Sequence, residues 1–284
     1  PLMPVQRSLV LLWAALSGVL WALAWPAVGG ITVLAFVAWL PLLHAERLHD
    51  ERTAGCRRAF VPYVLLAVFI WNAACSWWFF GVSEPLGTRM VSGLAPMTVN
   101  SLLMLVSWWL KRVTRRLLGS HIAAIAFIAY WLAFERLHHG WDLQWPWFAI
   151  GNVFGTQPHW IQWYEVTGML GGSLWVLLVT FFLHRAIIAW KVARRPVLFN
   201  ASIAAALLMT GGLLVLNPYG LRGLLFADAS GGVTIVLLAV TLARLSKAWA
   251  LRLPEHEAPN PVWWQRHRLL LLWLGCCALA WALA

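Results

Sequence analysis

Nine apolar runs separated by short charged segments constrain this chain more than any other feature of its sequence. A helix needs about 20 apolar residues to cross a bilayer, and about 17 at the short limit. Most of the runs meet that length, whereas the second and fifth need flanking residues and the last is marginal. The runs are residues 8–25, 29–43, 60–82, 92–110, 121–134, 167–190, 199–216, 231–250 and 269–284.

The composition supports a membrane protein. Hydrophobic residues make up 62% of the 284 residues and charged residues 11%, whereas about a quarter of the residues in a soluble domain are charged. The net charge of +11 raises the question of nucleic acid. We exclude that partner because the basic residues fall between apolar runs and not on an amphipathic surface. We therefore predict an all-α fold, a polytopic bundle of about eight or nine transmembrane helices.

The lysines and arginines predict how the bundle is oriented. If the N-terminus lies in the cytoplasm and the runs alternate, all but three of the 21 basic residues fall on the cytoplasmic side. The exceptions are Arg89, Arg136 and Arg222. This distribution follows the positive-inside rule. Between the first two runs, residues 26–30 form an uncharged turn with two glycines, which predicts a tight hairpin of two spanning helices.

The segment from Glu135 to Gly172 is rich in tryptophan and lies on the outward side in this topology. Tryptophan has an apolar body and one N–H donor, so it settles at the membrane–water boundary. Carboxylates at such a boundary either pair locally, as Glu135 can with Arg136 or His139, or line a polar pocket. We predict that an outward mouth binds lipid or substrate. Its candidate residues are Trp77, Trp78, Glu135, Trp141, Trp145, Pro146, Trp147, Asn152, Trp163 and Glu165.

Two pairs of glycines have the spacing that lets helices approach closely. Gly168 and Gly172 stand at the start of the sixth run, where we predict helix packing. Gly151 and Gly155 stand inside the tryptophan-rich segment, where glycine more readily permits a bend or a re-entrant path.

Cysteine and histidine give no sign of a metal or a cofactor. The four cysteines form no CxxC motif, and two of them are adjacent. Neighbouring residues on a helix diverge by about 100°, so neither Cys276 with Cys277 nor His138 with His139 makes a metal-binding face. We predict no metal site and no cofactor.

Short motifs along the chain resemble those of a known bacterial family, over about residues 8–216. Most of them lie between the end of the fifth run and the first part of the sixth, and the others lie at the ends of the first and third runs and within the fourth. The motifs are residues 134–141, 144–147, 151–152, 160–168 and 170–175, with residues 23–26, 76–78 and 100–104. In these motifs the chain resembles the membrane part of bacterial apolipoprotein N-acyltransferase.

The resemblance implies an acyl transfer from a phospholipid to the α-amine of a lipoprotein, in the inner membrane with the tryptophan-rich loop on the periplasmic side. In that family a cysteine activated by a glutamate and a lysine carries the acyl group as a thioester. Those residues belong to a nitrilase-like domain between the seventh and eighth spans. The resemblance therefore divides this chain into a seven-span domain (1–216), an outward loop (217–230) and two further spans (231–284).

The catalytic residues of that family have no counterpart in this sequence. The loop at 217–230 contains neither lysine nor cysteine, and none of the four cysteines matches the family's nucleophile. We therefore predict that the chain alone has no acyltransferase activity. Three readings remain: a lipid-binding membrane domain served by a separate nitrilase-like chain, a non-catalytic subunit of a larger membrane complex, or a transporter. Transport ranks last because the spans carry almost no charge at their centres.

Overall fold

Seven α-helices form the described part of this protein. The computed structural model describes residues 4–53, 60–81, 83–142, 145–191 and 195–216, and this part contains no β-strand. The predicted loop at 217–230 and the last two predicted spans lie outside it. The all-α prediction is confirmed. The helices are α1 (Pro4–Ala24), α2 (Leu40–Thr53), α3 (Val61–Ser76), α4 (Leu86–Leu118), α5 (Ser120–Leu137), α6 (Tyr164–Lys191) and α7 (Pro196–Leu216).

Four stretches of helix are long and apolar enough to cross a membrane. They lie in α1, in α3 together with the 3₁₀ segment that follows it (Trp77–Gly81), in α4 and in α6, and α7 contributes a shorter apolar stretch, Pro196–Thr210. Helix α5 reaches 18 residues and includes Glu135 and Arg136, as the fifth run requires. The four stretches are Arg7–Ala24, Val61–Gly81, Leu86–Leu118 and Tyr164–Trp190.

The second apolar run is not one continuous helix, so the predicted helical hairpin is wrong in this detail. After Gly30, which has φ +64°, the chain forms a short 3₁₀ helix, Thr32–Phe36, and α2 begins only at Leu40. Hydroxyl groups on other helices donate hydrogen bonds to the carbonyls of this interrupted backbone. The Ser17 hydroxyl donates to the Ala38 carbonyl at 2.6 Å, and the Thr180 hydroxyl donates to the Phe36 carbonyl at 2.8 Å.

Tryptophan side chains build the centre of the bundle. Trp21 stacks on Trp71 with ring centroids 4.7 Å apart, and Trp39 contacts Trp21, Trp108 and Trp131 at centroid distances of 5.1, 5.3 and 5.2 Å. All five side chains are buried and come from different helices or, for Trp39, from the residue before α2. Tryptophan was expected at the membrane boundary, so this central use of it was not anticipated.

A pair of asparagines joins α3 to α4 inside the bundle. The Asn100 amide donates to the Asn72 side-chain oxygen at 2.6 Å, and the Asn72 amide donates to the Val68 carbonyl at 2.8 Å. Both residues are fully buried. In an apolar surrounding such a bond fixes which faces of two helices meet, because an unpaired amide is costly there.

Helix α6 bends at Gly168, which has φ +60° inside an otherwise helical segment. A Cβ on Gly168 would meet no atom within 4 Å, so this glycine supplies backbone freedom and not close packing. A Cβ on Gly172 would overlap the Tyr164 hydroxyl of the same helix. The prediction that Gly168 and Gly172 pack two helices together is therefore wrong, and the two glycines shape the first turns of α6.

Removing the asparagine pair tests the contact between α3 and α4. We expect Asn100→Ala to lower the free energy of unfolding by about 0.6–1.7 kcal/mol, the range for hydrogen bonds between helices in a membrane. A thermodynamic cycle with Asn72→Ala, followed by unfolding in mixed detergent, measures the coupling. Thr98→Ala on the exposed face of α4 is the matched control, since the Thr98 hydroxyl bonds only within its own helix. Additive effects of the two asparagine substitutions would contradict this contact.

Candidate functional site

Three short 3₁₀ segments connect α5 to α6 and form the tryptophan-rich loop. Most of the middle segment is buried, and within it Phe154 stacks on Trp175 of α6 with centroids 4.9 Å apart and planes inclined by 8°. The Thr32 hydroxyl donates to the Val153 carbonyl at 3.3 Å and so links the loop to the broken second run. The loop therefore folds back into the bundle. The segments are Pro146–Phe148, Ile150–Thr156 and Pro158–Trp160.

Glu135 anchors this loop to α5. One carboxylate oxygen accepts the Trp131 indole N–H at 2.8 Å and the Ile150 backbone N–H at 2.7 Å. The side chain is buried, with 2% of the residue exposed. It pairs with the loop backbone and not with Arg136, while the His139 ring contacts only the backbone carbonyl of Glu135, at 2.6 Å. A buried carboxylate that accepts hydrogen bonds from two parts of the fold holds them in one relative position.

Helix α6 holds the other side of the loop. The Gly151 N–H donates to the Ser173 hydroxyl at 2.8 Å, and the Tyr164 hydroxyl donates to the Gly151 carbonyl at 2.8 Å. A Cβ on Gly151 would overlap the Met169 carbonyl, so glycine is required for this close approach. The φ of Gly151 is not positive. The loop thus folds back against α6, and Gly151 permits this approach through its small size.

His138 organises the first part of the loop, just after α5 ends. Its two ring nitrogens face the Trp141 indole N–H at 3.0 Å and the Trp145 backbone N–H at 3.1 Å. Burial, together with the neighbouring His139, lowers the pKa of His138 to about 4. The ring is therefore neutral at physiological pH, and since a neutral imidazole accepts at one nitrogen, each tautomer makes one of these bonds.

Exposed aromatic rings from two segments meet beside the loop. Phe79 stacks on Trp78 with centroids 4.0 Å apart and lies 6.2 Å from the Trp147 ring. Trp77, Trp78 and Trp147 are 64%, 47% and 41% exposed. We call Trp77, Trp78, Phe79 and Trp147 the outer aromatic surface. Through Phe79 it joins Trp78 at the end of α3 to Trp147 of the loop, and the exposed Trp77 is the neighbouring residue in the chain.

Some of the other predicted site residues pack inside the loop, and the rest are exposed on its surface. Trp163 is buried, with its ring 5.8 Å from that of Trp175, so the predicted place of Trp163 at the mouth is wrong. Trp145 and Pro146 are half-buried, and the Asn152 amide donates to the Pro146 carbonyl at 2.9 Å. These residues shape the loop from within. Trp141 and Glu165 are exposed, and Glu165 stands in the first turn of α6.

Several residues that hold the site were not predicted. Ser173 and Tyr164 lie within the motifs that carry the family resemblance, and their hydroxyls were the available signal. His138 was considered only as a metal ligand. Phe79 had no signal beyond two neighbouring tryptophans.

Substitution of Glu135 tests the anchoring of the loop. We expect Glu135→Ala to lower the free energy of unfolding by about 2 kcal/mol or more, because two buried N–H groups lose their acceptor. Hydrogen exchange of the Ile150 amide should accelerate as well. Glu135→Gln keeps an acceptor oxygen and should lose less, while Glu165→Ala at an exposed position is the control. Unchanged exchange at Ile150 in Glu135→Ala would show that the carboxylate does not hold the loop.

Comparison with known proteins places these features in a family. The model of the apolipoprotein N-acyltransferase N-terminal domain matches residues 17–182, which is more than half of the chain. This range contains the anchored loop, Glu135 and the outer aromatic surface. No solved structure matches the chain.

Two relatives have the same name. The apolipoprotein N-acyltransferase of Geobacter metallireducens is 31% identical over 234 residues, which cover 80% of this chain and 42% of that protein. The apolipoprotein N-acyltransferase of Chlorobaculum tepidum is 29% identical over 165 residues, covering 57% of this chain and 29% of that protein. The chain thus spans less than half the length of these relatives.

A third relative matches only a short stretch. The trimethylamine N-oxide transport system permease protein TmoV of Ruegeria pomeroyi is 59% identical over 44 residues, which cover 16% of this chain and 7% of that protein. So short a match assigns neither fold nor function. The extended match to the family model carries the assignment: this chain is a membrane protein that belongs to the apolipoprotein N-acyltransferase N-terminal domain family.

Proposed function

We propose that this chain is a lipid-binding membrane domain that serves acyl transfer from phospholipid to lipoprotein. The observation that carries the proposal is the outer aromatic surface, held beside a loop whose backbone is fixed by Glu135 and Ser173. A bound phospholipid lies with an acyl chain against Trp77, Trp78 and Trp147 and its head group toward the loop. The two relatives named apolipoprotein N-acyltransferase support this substrate class.

Aromatic residues suit this task for two reasons. Tryptophan offers a large apolar face together with a polar N–H, so it contacts both an acyl chain and the head-group region. An acyl chain in a bilayer has already left water, so its orientation comes from van der Waals packing against the flat indole faces. The Trp78 indole donates to the Cys75 carbonyl at 3.1 Å, which restrains that ring before a lipid arrives.

The loop end of the bundle faces the periplasm in this proposal, and the bundle lies in the bacterial inner membrane. Helices α4 and α5 are joined through Gly119 alone, so the lysine and arginines in the last turns of α4 and the loop after α5 stand at opposite ends. At the loop end the described basic residues are Arg89 and Arg136. This asymmetry supports a cytoplasmic position for the arginine-rich end.

The chemistry of acyl transfer requires a nucleophile with a base beside it. Cys75 is the free cysteine among the described residues, and it is buried within α3 with 4% of its surface exposed. A thiol buried in this way is not accessible to a phospholipid ester in this conformation. We therefore propose that these helices bind and orient lipid, and that a separate nitrilase-like chain supplies the cysteine, glutamate and lysine.

The second candidate function is that of a non-catalytic subunit in a larger membrane complex. The same exposed tryptophans favour it, since tryptophan is enriched at the centres of protein interfaces. Purification from native membranes distinguishes the two candidates. A co-purifying nitrilase-like chain supports the split enzyme, whereas a large assembly without such a chain supports the structural subunit.

Tryptophan substitutions test lipid binding. We expect the double variant Trp77→Ala and Trp147→Ala to bind phospholipid roughly tenfold more weakly, because two indole rings no longer pack against the acyl chain and the head-group region. Cross-linking to a photoactivatable phospholipid in nanodiscs measures this and maps the labelled residues. Trp190→Ala, an equally exposed tryptophan near the far end of α6, is the matched control. Equal labelling of wild type and the double variant would contradict the lipid site.

An acyl-enzyme assay tests the absence of chemistry in the isolated chain. We expect no hydroxylamine-sensitive acyl group after incubation with an acyl-labelled phospholipid, because Cys75 is buried and α3 places no base beside it. Mass spectrometry of the intact chain is the readout, and the Geobacter metallireducens relative treated in parallel is the control. A thioester on Cys75, Cys276 or Cys277 would refute the proposed division of labour.

A further inference from the structure

A cavity of about 200 Å³ lies at the arginine-rich end of the bundle, far from the tryptophan-rich loop. Residues from α2, α4, α5 and α6 line it. Its depth is apolar, with Trp39, Phe127 and Leu177 buried, whereas Arg115 and Ser120 are partly or fully exposed at its rim. The cavity therefore opens beside the start of α5, and Trp39 lies at its buried end.

Among the described side chains that line the cavity, Arg47, Lys111 and Arg115 are cationic and Glu46 is acidic. Lys111 contacts Glu46, and the Arg112 and Arg115 guanidinium groups lie 3.3 and 3.8 Å from the same carboxylate. Arg112 and Arg115 also lie 3.0 and 2.5 Å from Asp50. This network holds three cationic side chains against two carboxylates. Arg47 adds a further positive charge to the cavity lining.

The first turn of α5 adds a partial positive charge at the same place. Ser120 opens this 18-residue helix and lines the cavity together with Ala123 and Ala124. The preceding Gly119 has no side chain to cap the first backbone N–H groups. Free N–H groups and the helix dipole favour an anion at such a position. Excess cationic side chains and a helix N-terminus thus converge on one cavity.

We propose that this cavity binds the phosphate of an anionic phospholipid head group. Phosphate matches the guanidinium groups of Arg47 and Arg115 and the N–H groups of α5. The volume holds roughly six or seven water-sized groups, at about 30 Å³ each. That admits a phosphate and the first atoms of its substituents but not a whole lipid. The apolar wall made by Phe127, Ile128 and Phe181 favours a lipid over a free ion.

The site is separate from the lipid surface proposed above. The outer aromatic surface lies at the end of α3 and contacts the loop, whereas this cavity lies between the other ends of α4, α5 and α6. A lipid bound here therefore occupies the opposite leaflet. Failure of one site leaves the other untouched, so the two proposals are tested independently.

Binding of phosphatidylglycerol tests the proposal. The full chain is placed in nanodiscs of phosphatidylcholine with or without phosphatidylglycerol, and the melting temperature and the lipids retained in native mass spectrometry are measured. We expect phosphatidylglycerol to raise the melting temperature and one molecule to stay bound. Inorganic phosphate added to phosphatidylcholine discs forms a separate arm. An equal rise with phosphate alone would overturn the assignment to a lipid.

Three variants separate the cavity from the general charge of this end. Ala124→Phe fills the cavity without changing charge, and Arg47→Gln removes a lining cation. We expect each to weaken phosphatidylglycerol binding roughly tenfold. Arg116→Gln removes an exposed charge from the same end of α4 and should change binding little. Full binding by Ala124→Phe, or equal losses in Arg47→Gln and Arg116→Gln, would overturn the proposal. If Ala124→Phe does not fold, the two arginine variants decide alone.

Discussion

The hydrocarbon core of a membrane offers no partner for a backbone N–H or carbonyl, so every break in a helix must be satisfied inside the protein. In the part of the chain that the structure describes, two such breaks contact each other, Thr32–Phe36 and the loop between α5 and α6. Side chains resolve both. Ser17 and Thr180 bond the first break, and Glu135, Ser173 and Tyr164 bond the second. Without these acceptors and donors, the folded-back loop could not lie within the bundle.

The sequence predicts the fold class and the position of the loop, because length and hydropathy determine helices in a membrane. It does not predict the central tryptophans. Trp21 and Trp71 stand in apolar runs that read the same whether a side chain faces lipid or a neighbouring helix. Only packing distinguishes these faces, since lipid tails are as apolar as the protein interior. The length of the apolar run at residues 29–43 also wrongly predicted a single helix. The chain forms two segments there, because a local glycine turns the backbone and distant hydroxyl groups bond the interrupted carbonyls.

The sequence predicts most residues of the candidate site but not the contacts that they make. Glu135 was expected to pair locally or to line a pocket, and instead it accepts hydrogen bonds from Trp131 and from a loop residue 15 positions further along the chain. Such a contact depends on how the loop folds back, which no spacing in the sequence encodes. Trp163 and Trp147 look alike in the sequence, yet one packs against α6 and the other stays exposed. The motifs thus mark the segment, and the tertiary contacts assign the role of each residue.

The contact between Glu46 and Lys111 imposes an order on how this protein is made. The two residues are 65 positions apart, so the lysine does not exist when the carboxylate leaves the ribosome. At about 5–20 residues per second, the delay is roughly 3–13 seconds. During that interval Glu46 has to remain hydrated at the membrane surface, because an unpaired carboxylate is too costly to bury. Helix α2 therefore packs in its final position only after α4 has been synthesised. Until then, the basic side chains that pair with Glu46 are missing.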